Sequence, residues 1–169
     1  MHFFELINKR QSVRSYKPDA ISALELQQVL KAARLAPTAS NRQPFKLIVI
    51  HSSGRQIELR RIYDRDWFVQ APLVICICGT PDQAWVRKDG KNYYEVDVAI
   101  AMDYLILAAA ELGLGTCWIA DFDPKAARAV LNLPDHVVPI VVTPFGYPND
   151  QPRQKNRRDL NELVSYDQW

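Results

Sequence analysis

Cysteine, histidine and surplus charge are all scarce in this chain, and each shortage removes a class of function. Three cysteines in 169 residues are an odd count, which excludes a disulfide framework. Cys76 and Cys78 are read as pointing to opposite faces of one strand, unable to pair with each other, and burial is expected for all three. The histidines, His2, His51 and His136, are scattered and sit in no ligand-spaced group with cysteine, so no metal centre is expected. Net charge is only +2, from 21 basic and 19 acidic residues spread along the chain. Without a basic stripe, a recognition motif or an aromatic-basic ladder, nucleic acid is not an expected partner. The opening Met-His-Phe-Phe-Glu-Leu-Ile-Asn reaches charge too soon for a signal peptide, and a cytoplasmic location is expected.

Chemical motifs are missing too. There is no Gly-x-Ser-x-Gly, no metalloprotease histidine pair and no P-loop. Gly113-Leu-Gly115 follows a helical pattern, whereas a dinucleotide fingerprint needs strand, glycines and helix in that order. One of these glycines is expected to close the helix in a left-handed conformation. No internal repeat or low-complexity segment interrupts the chain.

What is present is an ordinary soluble domain, 48% apolar and long enough for one core, taken as a single unit over residues 1–169. Apolar runs alternate with helical patterns, which predicts mixed α and β structure. Helices are expected near 3–9 and 23–36, the second announced by Ser22 with Glu25 three residues on, a capping box. Strands are expected at 45–51 and 72–79, the latter a continuous apolar run suited to a central strand. Residues 54–70 read as a helix and a loop. Asp123-Pro124 starts a helix running to about Asn132, with a capping carboxylate and proline at the first helical position. A last strand at 137–143 is expected to end at Pro144 and Gly146, before a polar tail and a short helix near 159–165.

The longest helix, about 92–113, has almost no polar face: Val96, Val98, Ala99, Ile100, Ala101, Met102, Leu105, Ile106 and Leu107 lead into three alanines. It must be buried nearly all round. Asp97, Asp103 and Glu111 speak against a bilayer span. A helix shared with a second subunit predicts a homodimer; a central helix in a monomer is the alternative.

Three polar stations, far apart in sequence and rich in arginine, suit one phosphorylated flat cofactor. They are Arg10-Gln-Ser-Val-Arg14, Pro37-Thr-Ala-Ser-Asn-Arg-Gln-Pro-Phe45 and Lys155-Asn-Arg-Arg158. Basic side chains with a hydroxyl suit a phosphate, and an amide-rich turn suits the edge of a heterocycle. For the second station, plain turn chemistry closing a helix is the other reading.

These stations carry a resemblance. Arg10 to Tyr16, Ala36 to Phe45, Leu112-Gly-Leu-Gly-Thr-Cys-Trp-Ile119, Pro144-Phe-Gly-Tyr-Pro148 and the basic stretch Lys155 to Arg158 fall in order over nearly the whole chain. In that order they resemble the FMN-dependent nitroreductase family in its short form. The resemblance implies an α+β fold, a central, mainly antiparallel sheet flanked by helices, and an intertwined homodimer with FMN in the interface. Arg10 and Ser12 would hold the phosphate and ribityl end with Lys155 and Arg157, and Arg14 would serve the pyrimidine edge. Pro37, Thr38, Ala39, Ser40, Asn41 and Gln43 would come from the other subunit. The amides of Ala120 and Asp121 would face flavin N5. Asp121, where relatives often have glycine, and Phe45, where tryptophan is frequent, depart from the pattern.

The implied activity is ping-pong hydride transfer from NADH or NADPH, through the flavin, to a small-molecule acceptor of nitroaromatic or quinone type. No residue of the chain is needed as acid, base or nucleophile in the first step. The alternatives are a flavin-binding or sensory protein without turnover, or a relative with another flavin chemistry such as dehalogenation, heterocycle oxidation or flavin destruction. Tyr63 to Gln70 and Trp85 to Tyr94 are the lid candidates, and core or interface packing is the other role for their aromatics.

Overall fold

The computed structural model describes residues 2–169. Its centre is a four-stranded sheet of β1 (Phe45–His51), β2 (Leu73–Gly79), β3 (Gly115–Thr116) and β4 (Val138–Gly146), in the order β1-β2-β4-β3. Every neighbouring pair is antiparallel. The helices are α1 (Phe3–Lys9), α2 (Ala23–Arg34), α3 (Gln56–Ile62), α4 (Asp66–Gln70), α5 (Tyr94–Glu111), α6 (Pro124–Val130) and α7 (Leu160–Leu163). The expected helix and loop over 54–70 are thus two short helices, α3 and α4.

Strand β2 is buried along its whole length because helices cover both faces of the sheet. Side chains alternate across a strand. Leu73, Ile75 and Ile77 accordingly pack with Val29 and Ala33 of α2 and Val98, Met102 and Leu105 of α5. Val74, Cys76 and Cys78 pack with Leu59, Ile62, Phe68 and Ala127 on the other side. Each such burial of a branched aliphatic contributes about 1.5–3 kcal/mol. The expectation that Cys76 and Cys78 point to opposite faces is corrected here. Residues two apart share a face, and the two sulfurs lie 3.6 Å apart in one buried cluster. All three cysteines are free and buried.

Local signals set the helix ends. Ser22 Oγ accepts from Glu25 N–H at 3.2 Å and Glu25 Oε2 accepts from Ser22 N–H at 3.0 Å, the expected capping box. Tyr147 also donates to Glu25 Oε1 at 2.8 Å, tying the end of β4 to the start of α2. Asp123 Oδ1 accepts from the amides of Lys125 and Ala126 at the start of α6. Gly113, at φ 75°, ends α5: its N–H donates to Ala110 O and that of Leu114 to Ala109 O, the paired bonds of a Schellman cap.

Helix α5 buries Asp97, Val98, Ala101, Met102, Leu105, Ile106, Ala109 and Ala110, a stripe with a spacing of four. Its opposite side, mostly apolar apart from Asp103, is partly open, with Val96 39% and Tyr104 41% exposed. Strand β4 runs to Gly146, past the expected stop at Pro144. Proline lacks an N–H, but at that point the β3 ladder has already given way to a bond from Cys117 N–H to Thr143 Oγ1 at 3.1 Å, so β4 continues through it.

Candidate functional site

Two of the three stations meet at the C-terminal end of α5. Arg10 closes α1, its N–H donating to Leu6 O at 2.9 Å. Ser12 then runs parallel to Thr116 of β3, and Val13 N–H donates to Thr116 O at 2.9 Å. The approach depends on Gly115, where a Cβ would lie 2.8 Å from Val13 Cγ2. The C-terminal stretch closes the third side. Arg14 N–H donates to Asp150 Oδ2 at 2.9 Å and Arg153 N–H to Gln11 Oε1 at 2.8 Å. Lys155 Nζ donates to the carbonyls of Ile7 and Asn8 at 2.5 and 2.6 Å, a cation at the negative end of α1.

Between these segments lies a cleft of about 180 Å³. Arg10, Arg14, Arg153, Lys155 and Arg157 line it together with Gln11, Ser12, Gln154 and Asn156, so five cations and no carboxylate face it among the described residues. Their mutual repulsion is visible at Lys155, whose amine is held below its usual range by partial burial and then by Arg10 and Arg157. Burial pushes the Cys117 thiol up, while Arg14, Ser12 and Arg10 pull against that, which puts Cys117 beside the same charges. An anion in the cleft relieves every one of these repulsions, and guanidinium forks are the groups best shaped to hold a phosphate.

The rim carries aromatic surface. The Arg14 guanidinium lies over Trp67 at 5.9 Å, and Trp67 meets Tyr63 edge-on at 5.7 Å. Phe68, within the first lid candidate, is fully buried core. Trp85 and Tyr93 pack on each other at 5.1 Å in a small ordered hairpin, where Val86 bridges Asn92. Ala120 and Asp121 are exposed just after Ile119, which pairs with Val142 of β4.

The remaining station, Pro37 to Gln43, lies at the other end of α5. Ala39 N–H donates to Asp97 Oδ1 at 2.8 Å. From Asp97 to Ala110, which lines the Arg10 end, is thirteen residues of helix, about 20 Å. Ser40, Asn41 and Gln43 hold φ near 50°, a left-handed conformation uncommon for residues other than glycine. The loop is closed by Gln43 N–H to Thr38 Oγ1 at 3.1 Å and Gln43 Nε2 to Asn41 O at 3.1 Å.

The structure therefore gathers Arg10, Ser12, Arg14, Lys155 and Arg157 into one cleft, sets Ala120 and Asp121 past the strand beside it, and keeps Pro37, Thr38, Ala39, Ser40, Asn41 and Gln43 apart. Sequence reasoning missed Gln11, Arg153 and Asp150. The first two sit inside or next to the motifs and were within reach. Asp150 lies 136 residues from its partner Arg14, with no local signal. Among the described residues, no helix is long and apolar enough to cross a membrane, and no group of three or more histidine, cysteine or acidic residues is placed to hold a metal ion.

Fold and site together define a small α+β protein with a cation-lined cleft beside an aromatic rim. Residues 7–67 and 60–147 match the Nitroreductase family, and the chain belongs to it. A nitroreductase family protein from Clostridium difficile 630 has 37% identity, a TM-score of 0.90 and full coverage of both chains. An FMN-dependent nitroreductase from Clostridium difficile R20291 is 27% identical with a TM-score of 0.84, covering 99% of this chain and 100% of that one. An Archaeoglobus fulgidus protein, provisionally described as an NADH dehydrogenase/NAD(P)H nitroreductase, is 32% identical over 155 residues, 87% of this chain and 86% of that one.

Proposed function

We propose that this chain is an NAD(P)H-dependent flavin oxidoreductase that binds FMN between two copies of itself and works in the cytosol. The observation that carries this reading is the cleft with five cations and no carboxylate, which suits the one strongly anionic end of FMN. When bound, FMN supplies the redox chemistry, taking hydride from NADH or NADPH and passing electrons to a nitroaromatic, quinone or similar acceptor in a ping-pong sequence.

The chain's residues bind, orient and polarise. Arg10, Ser12, Lys155 and Arg157 hold the phosphate and ribityl end. Arg14 serves the pyrimidine edge, where a fixed cation favours negative charge and raises the reduction potential. The amides of Ala120 and Asp121 face the hydride-carrying edge, and Asp121 adds a carboxylate near the ring. Residues Pro37 to Gln43 of the second copy cover the flavin. Stations about 20 Å apart along α5 favour a site completed across an interface between two copies. The open apolar side of α5, with the exposed Phe3 and Phe4 of α1, supplies surface for that interface.

The test is the visible spectrum of the purified protein before and after anaerobic addition of NADH or NADPH. A flavin spectrum that bleaches, and returns with a quinone or nitroaromatic, supports the proposal. Bound flavin that neither donor bleaches would indicate a binding or sensory role. A protein that is colourless and takes up no FMN refutes the cofactor assignment.

A further inference from the structure

Asp97 is the one fully buried carboxylate among the described residues, 1% exposed, and it lies outside the cation-lined cleft. It sits in the first turn of α5, where the helix dipole favours negative charge. Its Oδ1 accepts from Ala39 N–H at 2.8 Å, while Oδ2 is sealed from solvent with no partner. A carboxylate removed from water and left half-satisfied is costly, and a cost of this kind asks for a reason.

The loop that it grips supplies one. Ser40, Asn41 and Gln43 all lie at left-handed φ, and such backbone persists only where its surroundings over-determine it. Bonds within the loop, Asn41 N–H to Thr38 O, Arg42 N–H to Ala39 O and Gln43 N–H to Thr38 Oγ1, shape it but do not fix its position. The bond from Ala39 to Asp97 spans 58 residues and fastens the loop to the helix that runs the length of the molecule.

We propose that Asp97 is the positioning residue of the flavin cover, holding residues 38–43 in the strained form that meets FMN bound to the second copy. This rests on the proposed function. The mechanism is pre-organisation: a loop already held in the binding conformation does not have to be ordered when the cofactor arrives.

The test compares D97A and D97N with the wild type in two measurements on the full-length protein, hydrogen exchange of the segment around Ala39 and FMN affinity. Removing one hydrogen bond to a charged group corresponds to about tenfold to a hundredfold in an equilibrium constant. D97A is expected to exchange faster at residues 38–43 and to bind FMN at least about tenfold more weakly. D97N, which keeps a carbonyl oxygen for Ala39, is expected to recover most of both. Wild-type protection in D97A, or a loosened loop with unchanged FMN affinity, overturns the role, and so does a D97N as impaired as D97A.

If D97A does not fold, A39P removes the same hydrogen bond from the other side. Thr38 is already extended, as a residue before proline should be, and position 39 opens the short turn. Its FMN affinity should fall in the same way, and wild-type affinity would refute the proposal. A wild-type protein that takes up no FMN defeats the flavin reading itself. FMN uptake with an indifferent D97A defeats only the role of Asp97.

Discussion

Replacing Gly115 with alanine tests how the proposed cofactor cleft is assembled. A methyl group there would sit 2.8, 2.9 and 3.0 Å from Cγ2, Cγ1 and Cβ of Val13, distances that Cβ atoms do not tolerate. Val13 cannot swing away, because it is 3% exposed and packs with Tyr16 and Ala71. Overpacking of this kind costs about 1–3 kcal/mol, and it forces apart the two segments that carry Ser12 and Thr116. A displacement of about 1 Å is enough to cost on the order of a hundredfold in a catalytic step. Because the two shortest contacts are with the Val13 methyl groups, V13A should relieve them and leave only its Cβ at 3.0 Å. Alone, V13A removes two methyl groups, about 1.6 kcal/mol plus a cavity contribution. The double variant G115A/V13A should be no less stable than V13A and should regain FMN affinity. Urea unfolding and FMN titration of the four proteins measure the cycle. Stability of G115A within about 0.5 kcal/mol of wild type, or strictly additive losses, would refute the steric account.

Further expectations concern single side chains. Arg10→Ala should empty the site, whereas Arg14→Ala should keep some FMN, lower its reduction potential and slow turnover; spectroelectrochemistry separates the two. The hydrogen bond from Ser22, then that from Tyr147, holds the Glu25 carboxyl below its ordinary range. Its contribution is complete above pH 4.5 and fades as pH falls through the lower folded value, so S22A should flatten the acid limb of a stability profile. For Lys155 the sign reverses: with its folded value below 10.5, the unfolded chain binds more protons in the window beneath it, and stability gains as pH rises through that window. K155M should lose this gain in the window just below pH 10.5, read from thermal unfolding. Tyr16, raised by burial, acts the other way only above pH 10.

Features decided by near neighbours in the chain were legible in the sequence. The bounds of α1 and β1, the Ser22–Glu25 box, the Asp123 cap and the left-handed glycine after α5 all follow from residues within a few positions of each other. Features decided across the sheet were not. The stop expected at Pro144 missed that Thr143 takes over the Cys117 amide. The face assignment of Cys76 and Cys78 failed on the simplest periodicity of a strand. The basic and hydroxyl residues of the cleft were found from their chemistry and the resemblance, but what knits them was hidden. Gly115 against Val13, and Arg14 against Asp150, are pairings that only tertiary structure reveals.

The distance between the two ends of α5 has a genetic consequence. On the proposed dimer each polypeptide owns halves of two different sites, so defects in different halves complement. Take one copy crippled at Arg10 and another crippled in the 37–43 loop, each inactive when paired with itself. In a mixed pair, both lesions fall in the same site and the other site is wholly intact. Random pairing of equal amounts restores about a quarter of all sites. A cell expressing both defective forms would then recover activity that neither provides alone.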